Sequence, residues 1–306
     1  MFHRFCAPGE AVRPQGALTP QEFERILLFI GPNCILAPGE WMDRLSRGAL
    51  EPHHLCITFD DGLRSQFEHA LPVLDHLGLK GFWFVYSCVF KGETVKAEIY
   101  SHAAAQLGGM SALVSEFFAR APRELRDQLS SPEFAAYSAR TRAVAPFYSE
   151  QDLQYRFLRN RPENRAVFES LMDQLLRDHG ISPEAVASQL WLTDADLRSL
   201  AQGGHAIGLH SYDHPYALSD LPRDQQREQY EQNFAHIAAA TGQPPRSMSH
   251  PLNSYNDDSL TILHDLGIRC GFRANIAPVA SRGVNPSPLE IAREDAAVLL
   301  SLTTKA

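Results

Sequence analysis

The sequence is poor in cysteine, has no long apolar run and is short of positive charge. Its five cysteines (Cys6, Cys34, Cys56, Cys88 and Cys270) are odd in number, scattered over 306 residues, and form no Cys-x-x-Cys pair. That pattern excludes a disulfide framework and a cysteine zinc site, and leaves reduced, mostly buried thiols as the expectation. The longest apolar run near the start, residues 26–30, falls far short of the ~20 residues that a membrane span needs. The opening MFHRFCAPGEAVRPQG lacks the apolar core of a signal peptide. A cytoplasmic chain without a membrane span is therefore expected. Lys and Arg number 28 against 36 Asp and Glu, a net charge of −8. This balance argues against a general nucleic-acid binder, which displaces counterions with a basic surface. Internal repeats and low-complexity tracts are also missing.

What is present is an ordinary globular composition, 44% hydrophobic and 21% charged, with enough apolar material for a sizeable core. The length allows two domains or one α/β barrel. Apolar stretches of strand length occur at 55–59, 81–86, 206–209, 270–272 and 289–292. Short continuous apolar runs are typical of strands buried on both faces of a parallel sheet. Helical spacing appears between them. Residues 20–29 follow Thr19 as N-cap and open on Pro20. Residues 66–77 carry Phe67, Leu71, Leu74 and Leu77, with Gly78 as a stop, and 256–266 repeat the plan before Gly267. Strands alternating with helices predict an α/β architecture on a parallel sheet, open or closed into a barrel. Residues 91–190 break the alternation, being almost wholly helical in pattern, and read as an insertion: either a lid or substrate platform, or a packing layer.

Two strand endings concentrate the chemistry. The run Ile57-Thr58-Phe59-Asp60-Asp61-Gly62 ends an apolar strand in adjacent carboxylates, at the position where α/β folds place their sites. Like charges this close call for a cation or a shared proton, although Asp and Gly also favour plain turns. The run Ala206-Ile207-Gly208-Leu209 leads into His210-Ser211-Tyr212-Asp213-His214-Pro215. Pro215 disfavours helical geometry at His214, so a strand end with two converging imidazoles is expected. Two neutral imidazoles with a carboxylate make a common catalytic zinc set with positions left for water and substrate.

Thr58-Phe59-Asp60-Asp61-Gly62 followed by His210-Ser211-Tyr212-Asp213-His214 resembles the first two motifs of the polysaccharide deacetylases, the NodB-homology or chitin-deacetylase-like superfamily. Met1-Phe2-His3-Arg4 is similar to the Tyr-His pair that opens many members. The resemblance implies a distorted (β/α) barrel, with residues 1–306 forming one catalytic domain that carries the helical insertion at 91–190. It implies Asp61, His210 and His214 as metal ligands, Asp60 as general base, and hydrolysis of an N-acyl group from an amino sugar. In that chemistry a divalent ion, Zn2+ by default, polarises the acyl oxygen and acidifies bound water while Asp60 takes the proton.

The later motifs depart from the family pattern. Where an Arg-x-Pro-Tyr-Gly sequence is usual, this chain reads Ser249-His250-Pro251-Leu252-Asn253-Ser254-Tyr255. The backbone amide of His250 or Leu252 remains available to an oxyanion, Leu252 and Tyr255 fall at substrate-binding positions, and His250 is either a substrate-facing acid or a rim histidine. No terminal Leu-x-His closes the chain. Ile291-Ala292-Arg293-Glu294-Asp295 is similar to the Ile-Pro-Arg-x-Asp ending of a subgroup associated with surface-polysaccharide biosynthesis. Arg293 then either orients a carboxylate such as Asp60 or pairs with Glu294 or Asp295. Arg156 and Arg159, in the run Tyr155-Arg156-Phe157-Leu158-Arg159-Asn160-Arg161, suit a phosphate and a sugar or base, or simply form a solvated helix face.

The expected protein is thus a metal-dependent carbohydrate N-deacylase. It would release acetyl or formyl from a soluble, nucleotide-linked or lipid-linked amino sugar. An O-acetyl esterase or cyclic-amide hydrolase on the same site, and a degenerate carbohydrate-binding protein, are the alternatives.

Overall fold

The computed structural model describes residues 1–10, 12–144, 148–275 and 283–304. The helices α1 (Pro20–Ile30) and α2 (Pro38–Ser46) precede the first strand. Six short strands then form one sheet: β1 (Ile57–Phe59), β2 (Gly81–Val85), β3 (Ala206–Leu209), β4 (Ser247–Ser249), β5 (Cys270–Ala274) and β6 (Ile291–Arg293). They lie side by side in chain order and every neighbouring pair is parallel. Each step therefore needs a crossover, and α3 (Leu71–Leu77), α12 (Arg223–Thr241) and α13 (Asp257–Asp265) supply three of them.

The sheet curls into a half-barrel because its two faces are filled differently. On β2, Phe82 and Phe84 face inward and pack with Trp41, Cys270, Phe272 and Ile291. Trp83 and Val85 face outward and join Ile57, Phe59, Leu209 and Met248 under the surrounding helices. The inner aromatics leave no room beside them. Phe84 lies opposite Gly208 in the β2–β3 register, and a Cβ on Gly208 would come within 2.6 Å of both the Phe84 ring and the Ser247 carbonyl. Four strand predictions shift only at their ends, by one or two residues, while β3 is as predicted. β4 was not predicted, since Ser-Met-Ser is too short and too polar to give an apolar run.

The gap between β1 and β6 is bridged at the start of the chain. The Phe2 N–H donates to the Thr58 carbonyl at 2.9 Å, the Phe2 carbonyl accepts from the Asp60 N–H at 3.1 Å, and the Met1 carbonyl accepts from the Ala296 N–H at 3.2 Å. Ala296 opens the last helix, α14 (Ala296–Thr303). The helix starts follow local chemistry: Thr19 and Glu22 form a capping box at α1, and Asn256 and Ser259 form one at α13. The predicted helix at 66–77 begins instead as a π turn over Gln66–Ala70. Pro72 brings no N–H to that turn, and the Leu71 N–H reaches back five residues to the Gln66 carbonyl.

Between β2 and β3 the chain is helical: α4 (Lys96–Ala103), α5 (Met110–Arg120), α6 (Arg123–Asp127), α7 (Pro132–Val144), α8 (Glu150–Arg159), α9 (Arg165–Asp178), α10 (Pro183–Leu190) and α11 (Asp194–Gln202). Leu113, Phe117, Leu153, Leu158, Phe168 and Met172 are among the residues of a core separate from that of the sheet. Three of the five cysteines are buried and all five are free thiols. Among the described residues no helix is long and apolar enough to cross a membrane.

Because the interior beside Phe84 is full, Gly208→Ala should cost about 1–3 kcal/mol by overpacking. Urea unfolding measures this, and an unchanged midpoint would mean that the half-barrel interior has slack.

Candidate active site

The loops leaving β1, β3 and β4 are bent sharply. Among the described residues, five non-glycine residues have positive φ: Asp61, Ser211, His214, Leu252 and Asn253. All five lie directly after those three strands. Such backbone costs free energy and persists where the surroundings over-determine it. Gly62 follows Asp61 at φ +61, with a Cβ there 2.9 Å from the Val85 side chain, so the turn must be Asp-Gly to bring both carboxylates over the strand ends.

Asp61, His210 and His214 converge as the sequence suggested. Asp61 Oδ1 lies 3.4 Å from His210 Nε2 and 3.6 Å from His214 Nε2. One ligand atom from each falls within 4.8 Å of the others. Burial disfavours the Asp61 carboxylate, but the His210 hydrogen bond and the nearby His3 and His214 outweigh it and hold the group well below the usual carboxylate range. Burial, with the neighbouring His210, lowers His214 to about 4, so its imidazole is neutral and able to ligate. His210 Nδ1 sits 2.8 Å from the Ser249 carbonyl. Its other nitrogen, Nε2, is the one that bonds Asp61 and raises the His210 pKa, and the Ser249 carbonyl would hold the Nδ1–H tautomer once a cation replaced the proton on Nε2, the arrangement usual for a histidine ligand. These donors suit a divalent cation, and with Asp60 neutralised by Arg293 the remaining buried charge on Asp61 calls for one.

Asp60 is held by a separate set of groups. Arg293 grips it with both ends of its guanidinium, Nη1 to Oδ1 and Nη2 to Oδ2, each at 2.7 Å. Nη2 also donates to Ser249 Oγ at 2.7 Å, and that hydroxyl donates to Asp60 Oδ2 at 3.2 Å. Of the two roles open to Arg293, orienting Asp60 is the one the structure adopts. The serine at the usual arginine position lies inside this contact. Burial works against the Asp60 charge, yet the Arg293 charge and hydrogen bonds prevail and keep its pKa well below normal. Gln66, fully buried, donates to the Asp60 carbonyl at 2.5 Å and to the His3 carbonyl at 2.7 Å.

His3 was not among the expected site residues. Its Nε2 lies 3.7 Å from Asp60 Oδ2, with the side chain 32% exposed. The only signal for it in the sequence was the opening Phe2-His3 pair. Asn233 gave no signal at all. Its side chain accepts from the His210 N–H at 2.9 Å and donates to the Val85 carbonyl and to Ser87 Oγ at 2.9 and 2.6 Å. It thereby extends the β2–β3 contact past the last paired residues. Tyr86 stands beside the two histidines, ring centroids 6.5 Å from His210 and 5.5 Å from His214, its hydroxyl accepting from Trp191 Nε1.

The other expected residues lie outside the Asp60 and Asp61 contacts described above. His250 is neither a rim histidine nor placed as an acid. It is 2% exposed, its Nε2 lies 2.7 Å from the Leu289 carbonyl, and burial lowers it to about 3, so its imidazole is neutral and its one N–H is committed to that carbonyl. Its N–H donates to the Phe272 carbonyl within the β4–β5 contact, which leaves Leu252 as the backbone amide for an oxyanion. Leu252 is 54% exposed. Tyr255 stacks on His250 with centroids 4.0 Å apart and donates to Glu290, a structural placement. Arg156 and Arg159 lie on the last turn of α8 and touch none of the Asp60 or Asp61 contacts described above.

Removing one side of the buried Arg293–Asp60 pair strands a charge. Arg293→Met should destabilise the metal-free protein by about 3–5 kcal/mol in urea, and adding Asp60→Asn should recover part of that loss. Additive losses would show that the two side chains are not coupled.

The family model described as polysaccharide deacetylase matches residues 172–271, a span that includes His210 and His214 but not the aspartates. No curated protein matches the sequence. Among solved structures, the Streptococcus pyogenes deacetylase PplD in complex with acetate is 15% identical with a TM-score of 0.55, covering 96% of this chain and 88% of that one. IcaB from Ammonifex degensii is 16% identical at 0.53, covering 100% and 95%. A de-N-acetylase from Aggregatibacter actinomycetemcomitans is 10% identical at 0.54, covering 96% and 92%. The resemblance read from the sequence and the NodB-type α/β fold are both borne out.

Proposed function

We propose that this chain is a deacetylase of the polysaccharide deacetylase kind that hydrolyses the N-acyl group, acetyl or formyl, of an amino sugar. The observation that carries this reading is the separation of two adjacent aspartates into two environments. Asp61 faces the imidazoles of His210 and His214, while Asp60 is clamped by Arg293. Paired carboxylates driven into different roles by their surroundings are a mark of acid–base sites.

Asp61, His210 and His214 would hold a divalent ion, Zn2+ by default, whose chemistry would be to polarise an acyl oxygen and acidify water, so that a weak base would suffice. Asp60 is that base: Arg293 keeps it ionised at neutral pH and fixes the direction of its oxygens. His3 Nε2 lies 3.7 Å from Asp60 Oδ2 with its side chain partly exposed, and in this reading it passes a proton to the departing amine. The Leu252 amide is left to face the oxyanion. The departing amine needs that proton, whereas the phenolate of an activated aryl ester does not. A protein that only binds carbohydrate has no need of the clamped Asp60.

About one divalent ion per chain is expected by elemental analysis, lost in His210→Ala/His214→Ala. Asp60→Asn should keep the ion and lose ~10²–10⁴ in turnover. His3→Gln should lose ~10² on an N-acetyl amino sugar and little on an activated aryl acetate. Full activity in chelated protein, or in Asp60→Asn, would falsify the assignment.

A further inference from the structure

Among the described residues, Arg156 and Arg159 form a half-buried pair without a carboxylate partner in this acidic chain. Arg156 and Arg159 are three residues apart on the last turn of α8, hence on one face, and both are half-buried. Neighbouring arginines close on carboxylates: Arg4 on Glu98, Arg64 on Asp196, Arg161 on Glu163 and Arg165 on Glu169. Among the described residues, neither Arg156 nor Arg159 has a carboxylate at ion-pair distance. Arg156 reaches Gln15 Oε1 at 3.4 Å and lies 4.2 Å above the Tyr148 ring. Arg159 donates to Asn160 Oδ1 at 3.0 Å and lies 5.2 Å from the Tyr216 ring. Burial, together with repulsion from Arg159, lowers the Arg156 pKa, the signature of positive charge without a counter-ion.

Their contacts locate them. The Gln15 carbonyl accepts from Arg4, the residue next to His3, and His3 is beside Asp60. Tyr216 is two residues past His214. The last turn of α8 therefore touches both chain segments that border the candidate site, the opening strip on one side and the His214 loop on the other. An anionic group of a substrate that extends from Asp60 and Asp61 to this turn would meet two guanidinium groups whose hydrogen-bond partners are neutral. A single carboxylate fills one guanidinium fork, whereas a phosphate offers enough oxygens to engage two.

We propose that Arg156 and Arg159 form a phosphate-binding subsite at the edge of the candidate active site, so that the amino-sugar substrate carries a phosphate ester or diphosphate. The substrate class rests on the N-deacylase reading, but the subsite itself is testable without turnover.

Inorganic phosphate is titrated calorimetrically into the zinc-loaded full chain. Saturable binding is expected in the wild type and in His210→Ala/His214→Ala, where phosphate cannot sit on the ion, and at least about tenfold weaker binding in Arg156→Gln/Arg159→Gln. Should that double variant fail to fold, Arg156→Lys/Arg159→Lys keeps the charge without the forks and should still weaken binding. Competition by uridine diphosphate points to a nucleotide carrier, by farnesyl diphosphate to a lipid carrier, and by neither to a sugar monophosphate. No binding in the wild type, binding unchanged in the arginine variants, or binding lost with the metal ligands overturns the subsite. Loss of the N-deacylase reading alone would leave the phosphate result standing.

Discussion

The buried pair between Asp60 and Arg293 ties the first strand of the sheet to the last, across 233 residues of chain. Two like-charged aspartates side by side in a dry pocket are costly. The guanidinium takes up one of those charges through two parallel hydrogen bonds, and only then can the second aspartate be reserved for a cation. The same contact brings β1 and β6 together where no backbone ladder joins them directly, so the curl of the sheet and the electrostatics of the site depend on one interaction. A buried pair of this kind is not in itself a strong source of stability, since desolvation offsets much of the attraction. Its value here lies in geometry: it aims Asp60.

Around that pair the fold supplies rigidity from packing and spends some of it in the loops. Phe82, Phe84 and Phe272 fill the inside of the half-barrel and force a glycine at the position facing Phe84. A dense interior deforms little, so the strand ends are fixed points from which loops can hold left-handed residues. Asp61, Ser211, His214 and Leu252 would relax elsewhere. They stay bent here because their neighbours are committed: the Ser211 hydroxyl to the His214 N–H, Asn233 to the His210 N–H, and Gln66 to the Asp60 carbonyl.

The helices between β2 and β3 have a core of their own yet are fastened to the site at its border. Trp191 donates to the Tyr86 hydroxyl, and the Leu192 N–H donates to the Gly62 carbonyl. Arg4 binds Glu98 of α4 in a forked contact. Arg159 reaches the His214 loop through Tyr216. Such anchors give this layer a fixed relation to the strand ends, which is what a surface needs if it is to select the far part of a substrate.

Much of the site was legible in the sequence because its signals are local. The Asp-Asp-Gly turn after an apolar strand, the His210 and His214 spacing before a proline, and the cap at Thr19 each act over a few residues, where turn and capping chemistry decide the backbone. Ser247–Ser249 escaped notice because a three-residue strand with two serines carries no period to read. His250 and Tyr255 differ: their residue types suit a site, and only packing shows that they are turned toward Leu289 and Glu290. The partner of Arg293, the place of His3 beside Asp60, the support from Asn233 and the border position of Arg156 and Arg159 were decided by tertiary structure alone. Each depends on how far the sheet curls and how the helices cross it. Those outcomes are set by the summed packing of aromatic and aliphatic side chains from the whole chain, and no short stretch of sequence contains them.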